Sequence, residues 1–241
     1  MSAQPWSPQD LAAANALLAG KTPHDILRWS VERFFPRLTM ATAFGAEGCC
    51  LIHMFAEIEP QVRIFNLETG YQFKETLELR ERIKARYGIE VEYIRPELTV
   101  EEYEAEHGGP LYLSYSDQCC HDRKMVPLQK AVVGYEAWIS AIRSDQTKER
   151  SGHKVVMWDP KFNLVKISPL LTWTKKDVWA FIMKHEIPYN PLHDQNYPSI
   201  GCWPCTRPIT NGQDERAGRW HGTVKKECGL HVIEHQEGSG I

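Results

Sequence analysis

No stretch of this chain approaches the ~18 consecutive apolar residues of a membrane span, so no transmembrane segment is expected. Met1 to Asp10 lacks both a basic flank and an apolar run, so no signal peptide is expected and the chain reads as cytoplasmic. An excess of one charge is missing too. The 28 Lys and Arg against 31 Asp and Glu leave a net charge of −3, which gives no pull toward nucleic acid; any anion site must be local. Internal repeats and low-complexity tracts are absent. So are two nucleotide signatures: no G-K-[ST] follows the first glycine-bearing turn, which excludes a Walker A, and there is no G-x-G-x-x-G.

What remains is an ordinary globular composition, 42% hydrophobic and 24% charged, in 241 residues, enough to bury a large core as one α/β domain. Helices are predicted over Asp10 to Ala19, His24 to Phe35, Gly48 to Ile58 and Lys74 to Tyr87. Strands are predicted over Leu38 to Ala43, Val62 to Leu67, Ile89 to Ile94 and Ala137 to Ile142. This alternation implies a mostly parallel sheet with helices on both faces. Asp117 to Val133 reads as helical with Pro127 as an interruption. Val155 to Trp158 and Leu164 to Ile167 suit a hairpin. A helix from Thr174 to His185 starts with Thr174 as cap and Asp177 at its third position. From Asn190 onward Gly, Pro and polar residues predict an irregular segment held by ligands rather than by a core.

Seven cysteines in such a chain favour metal or catalysis over disulfides. Cys49-Cys50 lies in an apolar run and reads as core, with His53 structural beside it. Cys119-Cys120 and the C-x-x-C of Cys202 and Cys205 suit a shared metal site. Structural zinc is one reading, although adjacent cysteines strain a tetrahedral mononuclear site. A cubane offers separate irons to neighbouring thiolates. A thioredoxin-like redox pair is a third, but Cys202 follows a loop rather than a strand. Cys228 has Lys225 and Lys226 before it and His231 after it, positive neighbours that suit a nucleophilic thiolate.

Three loops look able to hold an anion. Leu38 to Gly48 runs strand, glycine turn, helix N-terminus, and so offers backbone N–H groups to a phosphate beyond a strand's carboxyl end. Asn66 to Phe73 follows the next strand. Arg143 and Arg150 lie in a third loop after a strand, where guanidinium forks suit phosphate or sulfate. Arg216 and Arg219, three apart, would share a face of a helical turn. Each also has a plain reading as a turn or a solvated charged face.

In matching order, Cys119-Cys120-x-x-Arg123-Lys124-x-x-Pro127-Leu128, Trp173-Thr174-x-x-Asp177-Val178-Trp179, Ile187 to Asp194, Tyr197 to Thr206 and Glu227 to His231 resemble the motifs of assimilatory adenylyl-sulfate reductases, the iron-sulfur bacterial type. The resemblance covers Leu38 to His231. It departs at Thr42 to Gly48, where relatives carry serine and S-F-G-A-E-D, and at Glu68, where aspartate is commoner.

The resemblance implies an adenine nucleotide alpha hydrolase-like fold in a single domain, with a nucleotide- and cluster-binding core over 37–210 and a mobile catalytic tail over 211–241. It implies a [4Fe–4S] cluster on Cys119, Cys120, Cys202 and Cys205, and Cys228 as nucleophile. It also implies that Lys124, Arg143, Arg216, Arg219 and His231 receive the anion, with Phe44, Gly45 and Thr69 along the nucleotide. The expected reaction is reduction of adenylyl sulfate to sulfite and AMP through an S-sulfocysteine. Without a thioredoxin-like domain after Cys228, the expected reductant is a separate thioredoxin or glutaredoxin. A homo-oligomer stays open. The rivals are a reductase for the 3′-phosphorylated nucleotide or for both, an ATP-pyrophosphatase or sulfurylase-like enzyme, and a non-catalytic metal module.

Overall fold

The computed structural model describes residues 6–210, 213–221, 223, 225, 227, 229 and 230. Its strands are β1 (Leu38–Thr42), β2 (Arg63–Leu67), β3 (Glu92–Ile94), β4 (Ala137–Ile139), β5 (Val156–Asp159) and β6 (Leu164–Ile167). They form one six-stranded sheet in the order β3-β2-β1-β4-β6-β5. Every neighbouring pair is parallel except the β5–β6 hairpin. The helices are α1 (Pro8–Leu18), α2 (Pro23–Phe34), α3 (Ala46–Ile58), α4 (Lys74–Tyr87), α5 (Val100–Glu106), α6 (Leu111–Ser114), α7 (Ser116–Cys120), α8 (Val126–Ala131), α9 (Lys148–Ser151) and α10 (Lys175–His185). None is long and apolar enough to cross a membrane.

Alternation along the strands sorts the core. Leu38, Met40, Ile64, Ala137, Ile139, Val165 and Ile167 enter one apolar cluster, closed by Leu27 of α2, Leu51 of α3, Leu79 of α4 and Val178 of α10. Phe65, Leu67, Trp138 and Leu164 enter another, closed by Leu128 of α8. Successive strand residues point to opposite faces, so both faces of the sheet are covered, as the strand–helix alternation implied. Cys49 and Cys50 are core, at 1% and 0% exposure. Burial pushes the Cys49 thiol up to about 12 and raises that of Cys50 further.

Several boundaries differ from the sequence reading. β4 stops at Ile139; the Ser140 N–H still donates to the Ile167 carbonyl of β6 at 2.8 Å, but the Arg143 N–H donates to the Gln146 side chain at 3.0 Å. β3 starts at Glu92; Ile89 and Val91 are buried, but the Val91 carbonyl accepts from Arg80 Nε at 2.7 Å. Pro127 does not break the helix. The turn before it, His121–Met125, widens into a π-helix, and the Val126 N–H reaches back to the His121 carbonyl. Among the described residues beyond Asn190, the chain makes only short 3-10 turns, Pro191–Gln195 and Trp203–Cys205.

The topology decides where a site can form. From β1 the chain steps outward to β2 and β3, then returns to lay β4 on the other side of β1. Loops leaving the carboxyl ends of β1 and β4 therefore diverge and leave a crevice.

Candidate active site

A cavity of about 210 Å³ occupies that crevice, lined by Ala43, Gly45 and Gly48 after β1, Thr69 and Gln72 after β2, and Ser140 after β4. Helix α3 points its N-terminus here, and its cap residue Gly45 supplies no side chain to the first-turn N–H groups. An anion is the natural partner for such an end. Gly48 is required by proximity: a Cβ there would fall 2.7 Å from Thr42 Oγ1. That hydroxyl accepts the Phe44 N–H at 3.0 Å and shapes the loop. Phe44 itself has φ 55° and is fully buried, so it supports the loop from the core side and is absent from the cavity wall.

A second, smaller void lies next to the first. Cys119, Cys120, Cys202 and Cys205 all line it. The C-x-x-C segment is stitched to the loop after β2, through a bridge between Gln72 and Cys202 and a Trp203 N–H to Tyr71 carbonyl bond of 2.8 Å. Arg123 locks the same loop from beneath. Its Nε donates to the Thr69 carbonyl at 2.6 Å, and it stacks over Tyr71 and Tyr103 at 5.4 and 5.0 Å. Glu68, the departure noted above, turns away and accepts the Gly70 N–H at 2.7 Å.

The four thiols fit a shared polynuclear group better than a single ion. Cys119 and Cys120 are adjacent at the end of α7, which strains a single tetrahedral ion, whereas separate irons can each take one thiolate. His53, Glu57 and His185, of α3 and α10, form a separate group of potential ligand atoms, all within 4.8 Å of one another. Burial, then repulsion from Cys120, Cys202 and Cys205, pushes the Cys119 thiol up to about 12, and burial with Cys202 and Cys120 takes Cys205 to about 11. For Cys202 burial acts upward too, but Lys124, the Thr69 hydroxyl 3.3 Å away and Arg219 together hold it below the ordinary thiol value.

Thr69, Lys124, Cys202 and Arg219 line both voids and so form the wall between them. Arg216 and Gly45 also line the larger cavity. Arg143 does not. It is tied to Glu47, to Asp145 at 2.9 Å and to Glu215 at 3.2 Å, with 3% of its side chain exposed. Burial alone would ease off its proton, but Glu47 and Glu215 keep it charged. Arg150, which the sequence reading noted in the same loop but left out of the site, lines the cavity instead. Cys228 and His231 lie outside the described residues.

Other wall residues went unrecognised. Among the described residues, Ser140 Oγ, Gln72 Oε1 and His193 Nε2 are buried polar atoms without a hydrogen-bond partner, and all three residues line the cavity. His193 Nδ1 lies 2.8 Å from the Tyr197 carbonyl, which fixes the tautomer with the lone pair on Nε2. Such atoms await a polar ligand. Their one sequence signal was position: each follows a strand end or lies in the irregular segment.

Residues 37–208 match the family model described as the phosphoadenosine phosphosulfate reductase domain. A Bacillus pumilus relative named adenosine 5'-phosphosulfate reductase is 46% identical over 207 residues, covering 86% of this chain and 89% of its own length. A Gloeobacter violaceus relative named phosphoadenosine 5'-phosphosulfate reductase is 44% identical over 213 residues, covering 87% and 88%. Among solved structures, the phosphate complex of phosphoadenylyl-sulfate reductase from Candida auris is similar with a TM-score of 0.76 and 29% identity, covering 85% of this chain and 99% of that one. A model spanning most of the chain, together with relatives this similar over nearly their whole length, makes this protein a member of the phosphoadenosine phosphosulfate reductase family.

Proposed function

We propose that this protein reduces adenylyl sulfate to sulfite and AMP in the cytoplasm, with a thioredoxin or glutaredoxin dithiol as electron donor. One observation carries the reading: Lys124 and Arg219 stand in the wall shared by the crevice at the carboxyl ends of the strands and a void ringed by four cysteines. A thiolate attacking a sulfate on a phosphate meets an accumulation of negative charge, and preplaced cations offset it. Lys124, Arg150, Arg216 and Arg219 are those cations, and the bare N-terminus of α3 adds its N–H groups. Arg143 then serves by holding Glu47 and Glu215 rather than by touching substrate.

The chemistry has two displacements. The Cys228 thiolate attacks the sulfate sulfur, and the bond from that sulfur to the phosphate-bridging oxygen breaks. AMP leaves with the electron pair and an S-sulfocysteine remains. A donor thiolate then attacks Cys228 Sγ, and sulfite departs with the electrons of the S–S bond. The donor's second thiol resolves the mixed disulfide, which oxidises the donor by two electrons and restores the Cys228 thiol. The core over 37–210 holds the nucleotide, and the tail over 211–241 carries the nucleophile. Cys119, Cys120, Cys202 and Cys205 would hold a [4Fe–4S] cluster, which would tie the two cysteine segments together and keep Lys124 in place beside them.

Relatives are named for both nucleotides, so the assay must separate them. Purified protein, thioredoxin and either adenylyl sulfate or its 3′-phosphorylated form are compared for sulfite release. Adenylyl sulfate should have the higher kcat/KM. Without thioredoxin, mass spectrometry should find Cys228 heavier by one SO₃ group. About four irons and four acid-labile sulfides per chain are expected for a Cys-ligated cubane. Preference for the phosphorylated nucleotide, an adduct on Cys49 or Cys50, or one zinc without sulfide would each overturn the corresponding part.

A further inference from the structure

Glu227 directly precedes Cys228, and its side chain is only 3% exposed. A buried carboxylate survives only where partners replace its water. Here Arg150 supplies a fork, Nε at 2.9 Å to one oxygen and Nη2 at 3.1 Å to the other. Arg216 Nη2 adds a bond of 3.1 Å. Both arginines line the nucleotide crevice. The residues after Cys228 are held as well: the Gly229 carbonyl accepts from Lys161 Nζ at 2.8 Å, and Leu230 packs on the Phe65–Trp138 cluster. The nucleophile's two sequence neighbours are therefore both fixed to the core, one of them by charge.

We propose that Glu227 is a positioning residue, a carboxylate anchor that docks the tail on Arg150 and Arg216 and so sets the approach of Cys228 to the crevice. The same contact neutralises two cations of the anion site while no substrate is bound. Bound nucleotide then competes with Glu227 for these guanidiniums. The inference rests on the proposed function only for the identity of the nucleophile; the docking stands apart from it.

The test compares wild type with Glu227→Gln and Glu227→Asp, each loaded with iron and sulfide to the same content. The amide loses the charge and presents N–H groups to two guanidiniums. Its kcat should fall about tenfold or more, the scale set by a lost charge-assisted hydrogen bond, while KM for the nucleotide does not rise. Aspartate keeps the charge one methylene short and should recover part of the rate. A second readout needs no turnover. Alkylation of Cys228 by iodoacetamide without nucleotide, followed by peptide mass spectrometry, should be several-fold faster in Glu227→Gln than in wild type. Arg150→Lys, which keeps the charge but loses the fork, should accelerate it too. Unchanged alkylation in both variants, or a raised KM with unchanged kcat, overturns the anchor. If wild type releases no sulfite yet alkylation still responds, the reductase reading falls and the docking survives.

Discussion

Gly201 makes room for a guanidinium. A Cβ on it would fall 2.2 Å from Arg219 Nη2 and 2.5 Å from Arg219 Cζ. Arg219 therefore lies flat against this α-carbon, stacked on Trp220 at 4.4 Å and reaching Ser199 Oγ at 3.4 Å. Gly201→Ala should push it off the wall between the two voids. KM for the nucleotide is expected to rise about 10- to 100-fold, as loss of a hydrogen bond to a charged group predicts, with far-UV circular dichroism unchanged. A wild-type KM would show that Arg219 does not grip the substrate. The motif around Gly201 was legible in the sequence, but the reason for the glycine was not, since the crowding side chain comes from a later turn. The loop after β4 gives a second case. Its composition marked a cationic loop correctly. Which arginine faces the crevice depends on Glu47 and Glu215, far along the chain, which capture Arg143 and leave Arg150 to line the cavity.

Among the helices, ends were easier to read than edges of strands. Thr174 and Asp177 form the reciprocal cap expected of them, with the Asp177 N–H donating to Thr174 Oγ1 at 3.2 Å. The Thr174 hydroxyl, then its backbone N–H, holds the Asp177 carboxyl below its ordinary value of 3.8. Its folded-state pKa is depressed, so the cap is fully present above pH 3.8 and is lost as pH falls through the lower value. Thr174→Ala should lower Tm by about 2–4 °C, the shift a lost cap implies for a domain of this size. It should also abolish the benefit of Asp177, so Thr174→Ala/Asp177→Ala is no worse than either change alone; full additivity would refute the reciprocal cap. Capping is local chemistry, four residues wide, and shows directly in sequence. The π-turn at His121–Met125 is the opposite case: Pro127 announced a disturbance, but whether the helix would break or widen depended on its packing against the sheet through Leu128.

Over the whole molecule, buried imidazoles should govern the response to mild acid. Burial pushes both His53, packed among Tyr87, Phe181 and His185, and His193, in the crevice wall, below the ordinary 6.5. The unfolded chain takes up protons near that value while the folded protein holds these rings neutral to lower pH. Stability is thus complete above about pH 6.5 and declines as pH falls through it. Tm should be lower at about pH 5.5 than at about pH 7.5, and His53→Leu should flatten that slope; an unaltered slope would remove His53 from the account. At this scale the mostly parallel, helix-covered sheet followed from strand–helix alternation, but the strand order that opens the crevice did not. The docking of Glu227 did not, because a lone glutamate in a polar tail carries no pattern that distinguishes a solvated charge from a buried one.

The void ringed by cysteines also bears on how the molecule is made. Cys120 and Cys202 are about 80 residues apart, and β4, β5, β6 and α10 all lie between them. A chain emerging from the ribosome cannot present all four thiols together until Cys205 is out and the sheet has closed across its middle. Any group they hold is loaded late, onto a body that is already nearly folded. Once there it closes that long loop and bars the separate unravelling of the C-terminal segment. Biogenesis thus passes through a stage in which the crevice exists while its cysteine wall is still bare. A group bound by these thiols would have to arrive at that stage, while they are accessible.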